Sequence, residues 1–241
     1  TLGKDLAEFR VETGKLPGTY RPVYPVRGEP LISVIIPFRD RPHLLDQCLQ
    51  ALLDHGGWQH LEVIGVDNQS QEQATRECMA RWMEADPRIR FVGYDAAFNF
   101  AAICNYGAKS ARGNYLMFLN NDVVINQDGS VRELLQYACH PGIGAVGGRL
   151  TYPDGTIQHA GIVVGIGGSA GHAFKGFSAE LPGYFGRLQV ASNVSAVTAA
   201  MLMLHRGRFE AAGGFDAERF ALALNDVDLC LVLLRLGYRH V

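Results

Sequence analysis

The sequence predicts an α/β fold in which a Rossmann-like, mostly parallel sheet is flanked by helices. The main observation is that apolar, β-branched segments alternate with amphipathic helical segments between residues 31 and 119, which is typical of parallel βαβ units. Composition agrees, because 48% hydrophobic and 19% charged residues are ordinary for a globular protein. The length of 241 residues corresponds to between one and two domains.

The first half of the chain carries the clearest elements. A strand is predicted over residues 31–36, which are rich in Ile and Val and are followed by Pro37. A helix follows over 42–53, since its apolar residues recur on one face. The same patterns predict two further helices, over 71–84 and 99–110, and three further strands, over 61–66, 88–93 and 114–119.

Outside this region the alternation is weaker. Residues 1–30 are interpreted as a short helix and then an extended connector, because four prolines interrupt any longer helix. The second half predicts helices over 130–139 and 225–236, strands over 143–152 and 199–204, a flexible glycine-rich loop at 165–168 and a long loop over 172–195. The segment from Gly213 to Asp216 is typical of a helix stop followed by a turn.

Several functional classes are disfavoured. A formal net charge of −2 argues against a nucleic-acid partner, and the apolar stretches are too short for a membrane span or a signal peptide. The five scattered cysteines indicate a reducing, cytoplasmic setting without disulfides or metal clusters. The chain starts at Thr1 and ends in what resembles the start of a strand, so we expect it to be part of a larger polypeptide.

Polar residues that follow strands are the candidate site, because open parallel sheets bind ligands beyond the carboxyl ends of their strands. Asn120, Asn121 and Asp122 follow the apolar strand at 114–119. Asp122 is a candidate ligand for a divalent ion that holds a diphosphate. A simple turn is an equally good interpretation, since Asn and Asp are favoured turn residues.

Two further carboxylates lie at element ends. Asp67 follows the second strand, where it could accept a hydrogen bond from a base or ribose, and Ser70 suits the cap of the next helix. Asp226 lies at the start of the last helix, on its inward face, and is a candidate general base. A favourable contact with the helix dipole would explain Asp226 equally well, and Asn225 suits the helix cap.

Two histidines flank the glycine-rich segment. His159 and His172 could touch a substrate, although a structural role is the simpler interpretation for each. The sequence does not decide between the two.

The order of these motifs resembles family 2 glycosyltransferases of the GT-A fold, in the branch that builds O-antigen and other bacterial surface polysaccharides. The resemblance covers residues 31–241 and rests on five motifs in order: 33–37, 66–70, 119–122, 213–216 and 225–230. It implies one catalytic domain, with a nucleotide-sugar half at 31–122 and an acceptor half at 123–241.

The resemblance also implies individual roles. Asp67 would bind a uracil or thymine ring of a UDP- or dTDP-sugar, Asp122 would bind Mg²⁺ or Mn²⁺, and Asp226 would deprotonate the acceptor hydroxyl, with inversion at the anomeric carbon. The remaining residues implied in the donor site are Pro37, Arg39, Asp40, Arg41, Asn68, Asn99, Asn105, Asn120 and Asn121. The partners implied are a nucleotide sugar and a glycan or lipid-linked glycan acceptor, at a cytoplasmic location that includes the inner face of the membrane.

The sequence departs from the family pattern in two places. Its metal motif has one carboxylate where many relatives have two or three, and a histidine that often follows the base helix would lie beyond Val241. A non-catalytic sugar-nucleotide-binding or scaffold module therefore stays open as an alternative. A nucleotidyltransferase is less well supported, because residues 38–41 lack the glycine-rich loop that such enzymes carry after the first strand.

Overall fold

The architecture is known from a computed structural model, which describes residues 9–241. The part of the predicted N-terminal helix that falls on residues 1–8 lies outside the described residues. Residues 10–23 differ from the predicted extended connector, because they pair as an antiparallel hairpin of β1 (Arg10–Thr13) and β2 (Tyr20–Val23).

A six-stranded sheet forms the centre of the fold. Its strands are β3 (Ile32–Phe38), β4 (Leu61–Asp67), β5 (Ile89–Gly93), β6 (Tyr115–Leu119), β7 (Val146–Gly147) and β12 (Met201–His205). Their order across the sheet is β5-β4-β3-β6-β12-β7, and β12 is the strand that runs antiparallel to its neighbours. The predicted mostly parallel sheet is therefore confirmed.

Six helices formed by residues 9–241 cover the two faces of this sheet. They are α1 (Pro42–His55), α2 (Gln73–Ala85), α3 (Phe100–Ser110), α4 (Ser130–Ala138), α5 (Arg206–Ala211) and α6 (Asn225–Arg235). Buried residues of α1, α2 and α4 pack with Ile32, Val34 and Ile36. Those of α3, α5 and α6 pack on the other side with Ile35. This alternation along β3 is what a strand buried on both faces requires.

Gly107 allows α3 to lie close to the sheet. A Cβ added there would stand 2.6 Å from a methyl carbon of Ile35 and 2.9 Å from one of Val66. A larger residue would therefore push α3 away from the strands whose ends it adjoins.

In the second half of the chain, short pairs of antiparallel strands form where a single strand and two loops were predicted. The strand predicted over 143–152 is broken into β7 and β8 (Leu150–Thr151), and β8 pairs with β9 (Ile157–His159). The predicted flexible loop at 165–168 is the tip of a hairpin, formed by β10 (Ile162–Val164) and β11 (Ala170–His172). A 3-10 turn at Tyr184–Gly186 interrupts the predicted long loop.

A buried carboxylate closes the opposite end of the sheet from the strand tips. Glu62, which is 3% exposed, accepts hydrogen bonds from the Ser33 hydroxyl at 2.6 Å and from the Arg112 backbone N–H and Nε at 2.6 and 2.9 Å. Burial opposes its charge, but these hydrogen bonds outweigh burial and lower the pKa of Glu62.

Candidate active site

The strand order reverses at β3, and this reversal places a crevice at the carboxyl ends of the central strands. The chain adds β4 and β5 on one side of β3 and then returns to add β6 on the other. Ligands of open α/β sheets bind at such a switch point. The residues directly after β3 and β6 are the predicted segments 39–41 and 120–122.

The segment after β3 is strained and tied to the neighbouring loop. Asp40 and Arg41 have φ values of 51° and 53°, a left-handed conformation that costs non-glycine residues about 1–2 kcal/mol each. The Asp40 N–H donates to the Ser70 hydroxyl at 2.7 Å. Strain of this kind is frequent at functional sites. Pro37 is half-buried at the end of β3, and Arg39 and Arg41 are exposed.

Asp40 orders the two residues that precede α2, where Ser70 was predicted to cap the helix. Its Oδ1 accepts from the backbone N–H groups of Gln71 and Glu72 at 2.7 and 2.9 Å, just before α2. These bonds lower the pKa of Asp40. The predicted Ser70 cap is wrong, because α2 begins at Gln73 and the Ser70 side chain is directed to Asp40.

The loop after β4 is ordered by its own polar side chains. Asp67 accepts from the Ser70 N–H at 2.9 Å, a turn that orients its carboxylate at the strand tip. Asn68 is buried and donates to the carbonyls of Tyr94 and Ala96, while its Oδ1 has no hydrogen-bond partner in the part of the chain that the structure describes. Asp67 remains half-buried at the edge of the crevice.

Residues 120–122 form a turn at the end of β6, with the Val123 N–H donating to the Asn120 carbonyl at 3.1 Å. Asn121 is half-buried and Asp122 is exposed. Burial, with a smaller contribution from the Asp122 carboxylate, raises the pKa of Cys48 in α1 to about 12. The turn interpretation is thus confirmed as local structure, and it leaves the Asp122 carboxylate accessible.

Three consecutive residues, Thr198 to Ala200, connect the remaining polar groups. The Ala199 N–H donates to Asp226 Oδ2 at 3.0 Å, and the Asn120 N–H donates to the Ala200 carbonyl at 3.0 Å. The Thr198 N–H is 3.5 Å from His159 Nε2. This segment therefore brings residues 120, 159 and 226 together.

A cavity of about 320 Å³ lies at this junction. Asn120, His172 and Asp226 line it, together with apolar and small residues of β10, β11 and the segment 222–225. A larger groove of about 1410 Å³ lies elsewhere, between the β1–β2 hairpin and residues 123–134. The candidate His159 lines this groove, whereas none of the residues implied in the donor site, as metal ligand or as base does so.

The start of α6 orients Asp226. Leu224 precedes the helix with a φ of 63°, and the Asp226 Oδ1 accepts from the Val227 N–H at 2.8 Å. The predicted Asn225 cap is wrong, because Asn225 is buried inside the helix start and donates to the Phe220 carbonyl at 3.2 Å. A carboxylate has about four acceptor positions, so Asp226 keeps two for a ligand.

Two other predicted residues are engaged by the protein itself. Asn99 caps α3 by accepting from the Ala102 N–H and donates to the Ala217 carbonyl, both at 2.9 Å. Asn105 exchanges two hydrogen bonds with the Phe215 backbone, at 2.7 and 3.0 Å. Both amides tie α3 to residues 215–217, which directly follow the two glycines of the predicted helix stop. Both glycines have positive φ values, as a helix stop of this kind favours.

The oxygen groups near Asp122 fit a shared divalent ion. Among residues 9–241, no group of three His, Cys, Asp or Glu side chains could hold a metal. Asn120 Oδ1, however, is buried and accepts no hydrogen bond from any described residue. Mg²⁺ is usually held by one or two carboxylates plus substrate phosphates. Asp122 therefore suits an ion whose other ligands come from a diphosphate and water.

Sequence reasoning missed the segment 198–200, because it works through backbone groups that carry no side-chain signal. The pairing of His159 with His172 was also missed, although both histidines had been noted. Their placement at the ends of two hairpins was hidden by the prediction of loops there.

Comparison with solved structures defines the class of fold. A mannosyltransferase from Pyrobaculum calidifontis, PcManGT, superposes with a TM-score of 0.66 and 19% identity over 89% of this chain and 55% of that one. GalNAc-T7 superposes with a TM-score of 0.65 and 12% identity, over 88% and 41%. The chain therefore has the fold of GT-A glycosyltransferases, as the motif order implied.

Sequence comparison then shows the family. Residues 33–210 match the model for glycosyl transferase family 2, and the chain belongs to that family. It is 42% identical over 230 residues to the O-antigen biosynthesis protein RfbC of Myxococcus xanthus, and 39% identical over 241 residues to protein y4gI of Sinorhizobium fredii. These matches cover 95% and 100% of the chain but 18% and 26% of the relatives, so the chain spans about a quarter or less of their length.

The helices show one further feature. None of those formed by the described residues combines the length and hydropathy needed to span a membrane.

Proposed function

We propose that this chain is the catalytic domain of an inverting, metal-assisted glycosyltransferase that acts in bacterial surface polysaccharide synthesis, such as that of O-antigen. The observation that carries the proposal is that Asn120 and Asp226 line one cavity and are joined through Ala199 and Ala200. A residue of the predicted metal motif and the predicted base therefore meet at one site. Similarity to RfbC supports the polysaccharide context.

The donor would be a nucleotide diphosphate sugar bound at the carboxyl edge of β3, β4 and β6. Asp67 would accept a hydrogen bond from the base, and the exposed Arg39 and Arg41 would favour the anionic diphosphate. PcManGT binds GDP-Man and Mn²⁺, and GalNAc-T7 binds UDP and Mn²⁺. Both support a nucleotide-sugar donor, and they differ in the base, so UDP, dTDP and GDP all belong in the test.

Asp122 would hold Mg²⁺ or Mn²⁺, and the buried Oδ1 of Asn120, which has no hydrogen-bond partner among the described residues, is a further candidate ligand. Such an ion supplies positive charge that stabilises the departing nucleoside diphosphate. The single carboxylate implies that the ion and the donor bind together, because the diphosphate completes the ligand set.

Asp226 would remove the proton of the acceptor hydroxyl. The hydroxyl oxygen then attacks the anomeric carbon from the face opposite the leaving group, and the bond from carbon to the diphosphate oxygen breaks with its electron pair. The products are the glycoside, with inverted configuration, and a nucleoside diphosphate. Two backbone N–H groups hold the carboxylate in one orientation, which favours this transfer.

The division into a nucleotide-sugar half at 31–122 and an acceptor half at 123–241 is part of the same proposal. The coverage of RfbC and y4gI supports a larger parent polypeptide. We propose that this polypeptide acts in the cytoplasm, at the inner face of the membrane, where lipid-linked acceptors are accessible.

Calorimetry and thermal unfolding test donor binding directly. We expect UDP, dTDP or GDP to stabilise the chain only when Mn²⁺ is present, by about 2.7 kcal/mol when the nucleotide is at 100 times its Kd. Turnover of the matching sugar nucleotide by the parent polypeptide would then separate an enzyme from a scaffold module. Absence of binding by all three nucleotides would overturn the proposal.

A further inference from the structure

Two histidines from neighbouring hairpins meet beside the cavity that contains Asp226. His159, at the end of β9, is 1% exposed, and His172, at the end of β11, is half-buried. Their Nδ1 atoms are 2.8 Å apart, and the rings stand edge to face with centroids 5.0 Å apart. One of the two nitrogens must therefore carry the shared hydrogen.

Two backbone N–H groups show which of the two Nδ1 atoms carries the shared hydrogen. His159 Nε2 lies 3.3 Å from the Gly161 N–H and 3.5 Å from the Thr198 N–H, and both of these groups can only donate. His159 Nε2 is therefore the acceptor, and its Nδ1 carries the hydrogen that is donated to His172. Burial lowers the pKa of His159 to about 3, which agrees with a ring that stays neutral.

The same reasoning gives the tautomer of His172. Because its Nδ1 accepts from His159, a neutral His172 carries its hydrogen on Nε2. His172 lines the cavity with Asp226, and no described residue bonds to its Nε2. Three titratable groups act on the ring: His159 across the shared hydrogen, Asp226 from α6 and Lys175 from the turn after β11. Burial dominates and lowers the pKa of His172, despite the opposing effect of Asp226.

We propose that His172 binds the acceptor, by donating its Nε2–H to an oxygen of the acceptor sugar next to the hydroxyl that reacts, and that His159 is the positioning residue that holds this tautomer. The inference rests on the proposed function and deepens it, since it assigns the acceptor subsite of the same cavity.

The chemistry suits a sugar hydroxyl. A neutral imidazole N–H is a good donor to an uncharged oxygen, while a diphosphate would favour the charged arginines at the other end of the crevice. His172 cannot replace Asp226 as the base, because its only lone pair on nitrogen is occupied by His159. Among the described residues that line the cavity, Asp226 is the only carboxylate.

Kinetics on the parent polypeptide test the role of His172. The donors screened are UDP-, dTDP- and GDP-sugars, and the acceptors are the octyl glycosides of glucose, galactose, mannose and rhamnose. The donor and acceptor that give turnover with the native polypeptide are then used for the variants. His172→Phe keeps the ring but removes the N–H, so we expect the acceptor KM to rise by about tenfold or more, with the donor KM within about twofold. His172→Gln, which restores an N–H near the position of Nε2, should recover most of the loss. His55→Gln, at the far end of α1, is the matched control.

Nitrogen-15 NMR of the histidine rings tests the positioning role without any substrate. The expected spectrum has a hydrogen on Nδ1 of His159 and on Nε2 of His172, and His159→Gln should abolish the single tautomer of His172. A hydrogen on Nδ1 of His172 in the native chain would overturn the inference, and so would an unchanged acceptor KM in a folded His172→Phe variant.

The two proposals fail differently. If nucleotides bind with Mn²⁺ and the parent turns over, but the His172→Phe variant keeps its acceptor KM, only the acceptor subsite is wrong. If no nucleotide binds, the proposed function fails and the subsite fails with it.

Discussion

The carboxylate of Asp226 accepts a 3.0 Å hydrogen bond from the backbone N–H of Ala199, and this contact joins the start of α6 to the segment before β12. The next residue, Ala200, accepts from the Asn120 N–H. Helix α6, strand β12 and the turn after β6 are thereby held in one arrangement. The proposed base and the proposed metal motif cannot shift independently of each other, which is the condition for in-line displacement at a bound sugar.

Replacement of Asp226 tests the base. Asp226→Asn should lower kcat by at least about a hundredfold, because the amide cannot take the acceptor proton, and nucleotide affinity should stay unchanged. Asp228→Asn, in the same helical turn, is the matched control and should stay within about twofold of the native kcat. Steady-state kinetics of the parent give both values. Native kcat in Asp226→Asn would exclude this residue as the base.

Replacement of Asp122 tests the metal site. Asp122→Asn should remove most of the Mn²⁺-dependent part of nucleotide stabilisation, since the ion loses its charged protein ligand. Asp128→Asn, an exposed change six residues further on, should leave that stabilisation intact. Thermal unfolding with nucleotide, with and without Mn²⁺, measures the difference. Equal Mn²⁺ dependence in both variants would argue against a metal at Asp122.

Removal of Asn105 tests whether this amide is a structural tie. Asn105→Ala loses two hydrogen bonds to the Phe215 backbone, so we expect the free energy of unfolding to fall by about 2 kcal/mol. Asn126→Ala, at an exposed position, should change stability little. Urea unfolding gives these values. Calorimetry on the same variant also tests the role in the donor site that the family resemblance implies for Asn105. A weaker nucleotide affinity in Asn105→Ala would support that role.

His159 should make stability depend on pH. Its folded pKa of about 3 lies below the value of about 6.5 in an unfolded chain, so the unfolded state binds the extra proton as pH falls. Stability is therefore fully present above about pH 6.5 and decreases toward pH 3, by up to about 1.4 kcal/mol per pH unit from this group.

The variant His159→Gln isolates this contribution. It should reduce the slope of unfolding free energy between pH 6 and 4 by about one proton, as urea unfolding at several pH values would show. His43→Gln, on the exposed face of α1, should keep the native slope. The same slope in both variants would contradict a neutral, buried His159.

Glu62 should stabilise the end of the sheet away from the crevice. Glu62→Gln weakens the hydrogen bonds from Ser33 and Arg112, and we expect a loss of about 2 kcal/mol in the free energy of unfolding with no change in nucleotide affinity. The exposed Glu84→Gln is the matched control. Denaturant unfolding measures both, and a Glu62→Gln variant of native stability would show that the buried charge contributes nothing.

The regular half of the fold followed from local pattern. Strand β3 and helix α1 were predicted within two residues, because their side-chain periods of 2 and 3.6 are visible in the sequence. The strand predicted over 143–152 failed, because its apolar residues and glycines do not reveal where the chain changes partner from β12 to β9. The Ser70 cap failed because Asp40 reaches residues 71 and 72 from another loop. The Asn225 cap failed because α6 already begins at Asn225.

By itself, the sequence determined the order of the elements between residues 31 and 119, the strand ends near residues 67 and 120–122, and the family, because each depends on neighbouring residues or on motif order. Only the tertiary structure decided that Asp226 meets Asn120 through the segment 198–200, and that His159 meets His172. Those contacts are formed by backbone groups and hairpins far apart in the chain, and their geometry depends on how β12 inserts antiparallel beside β6. Local periodicity carries no information on such pairings, which is why the proposed acceptor subsite emerged only from the folded chain.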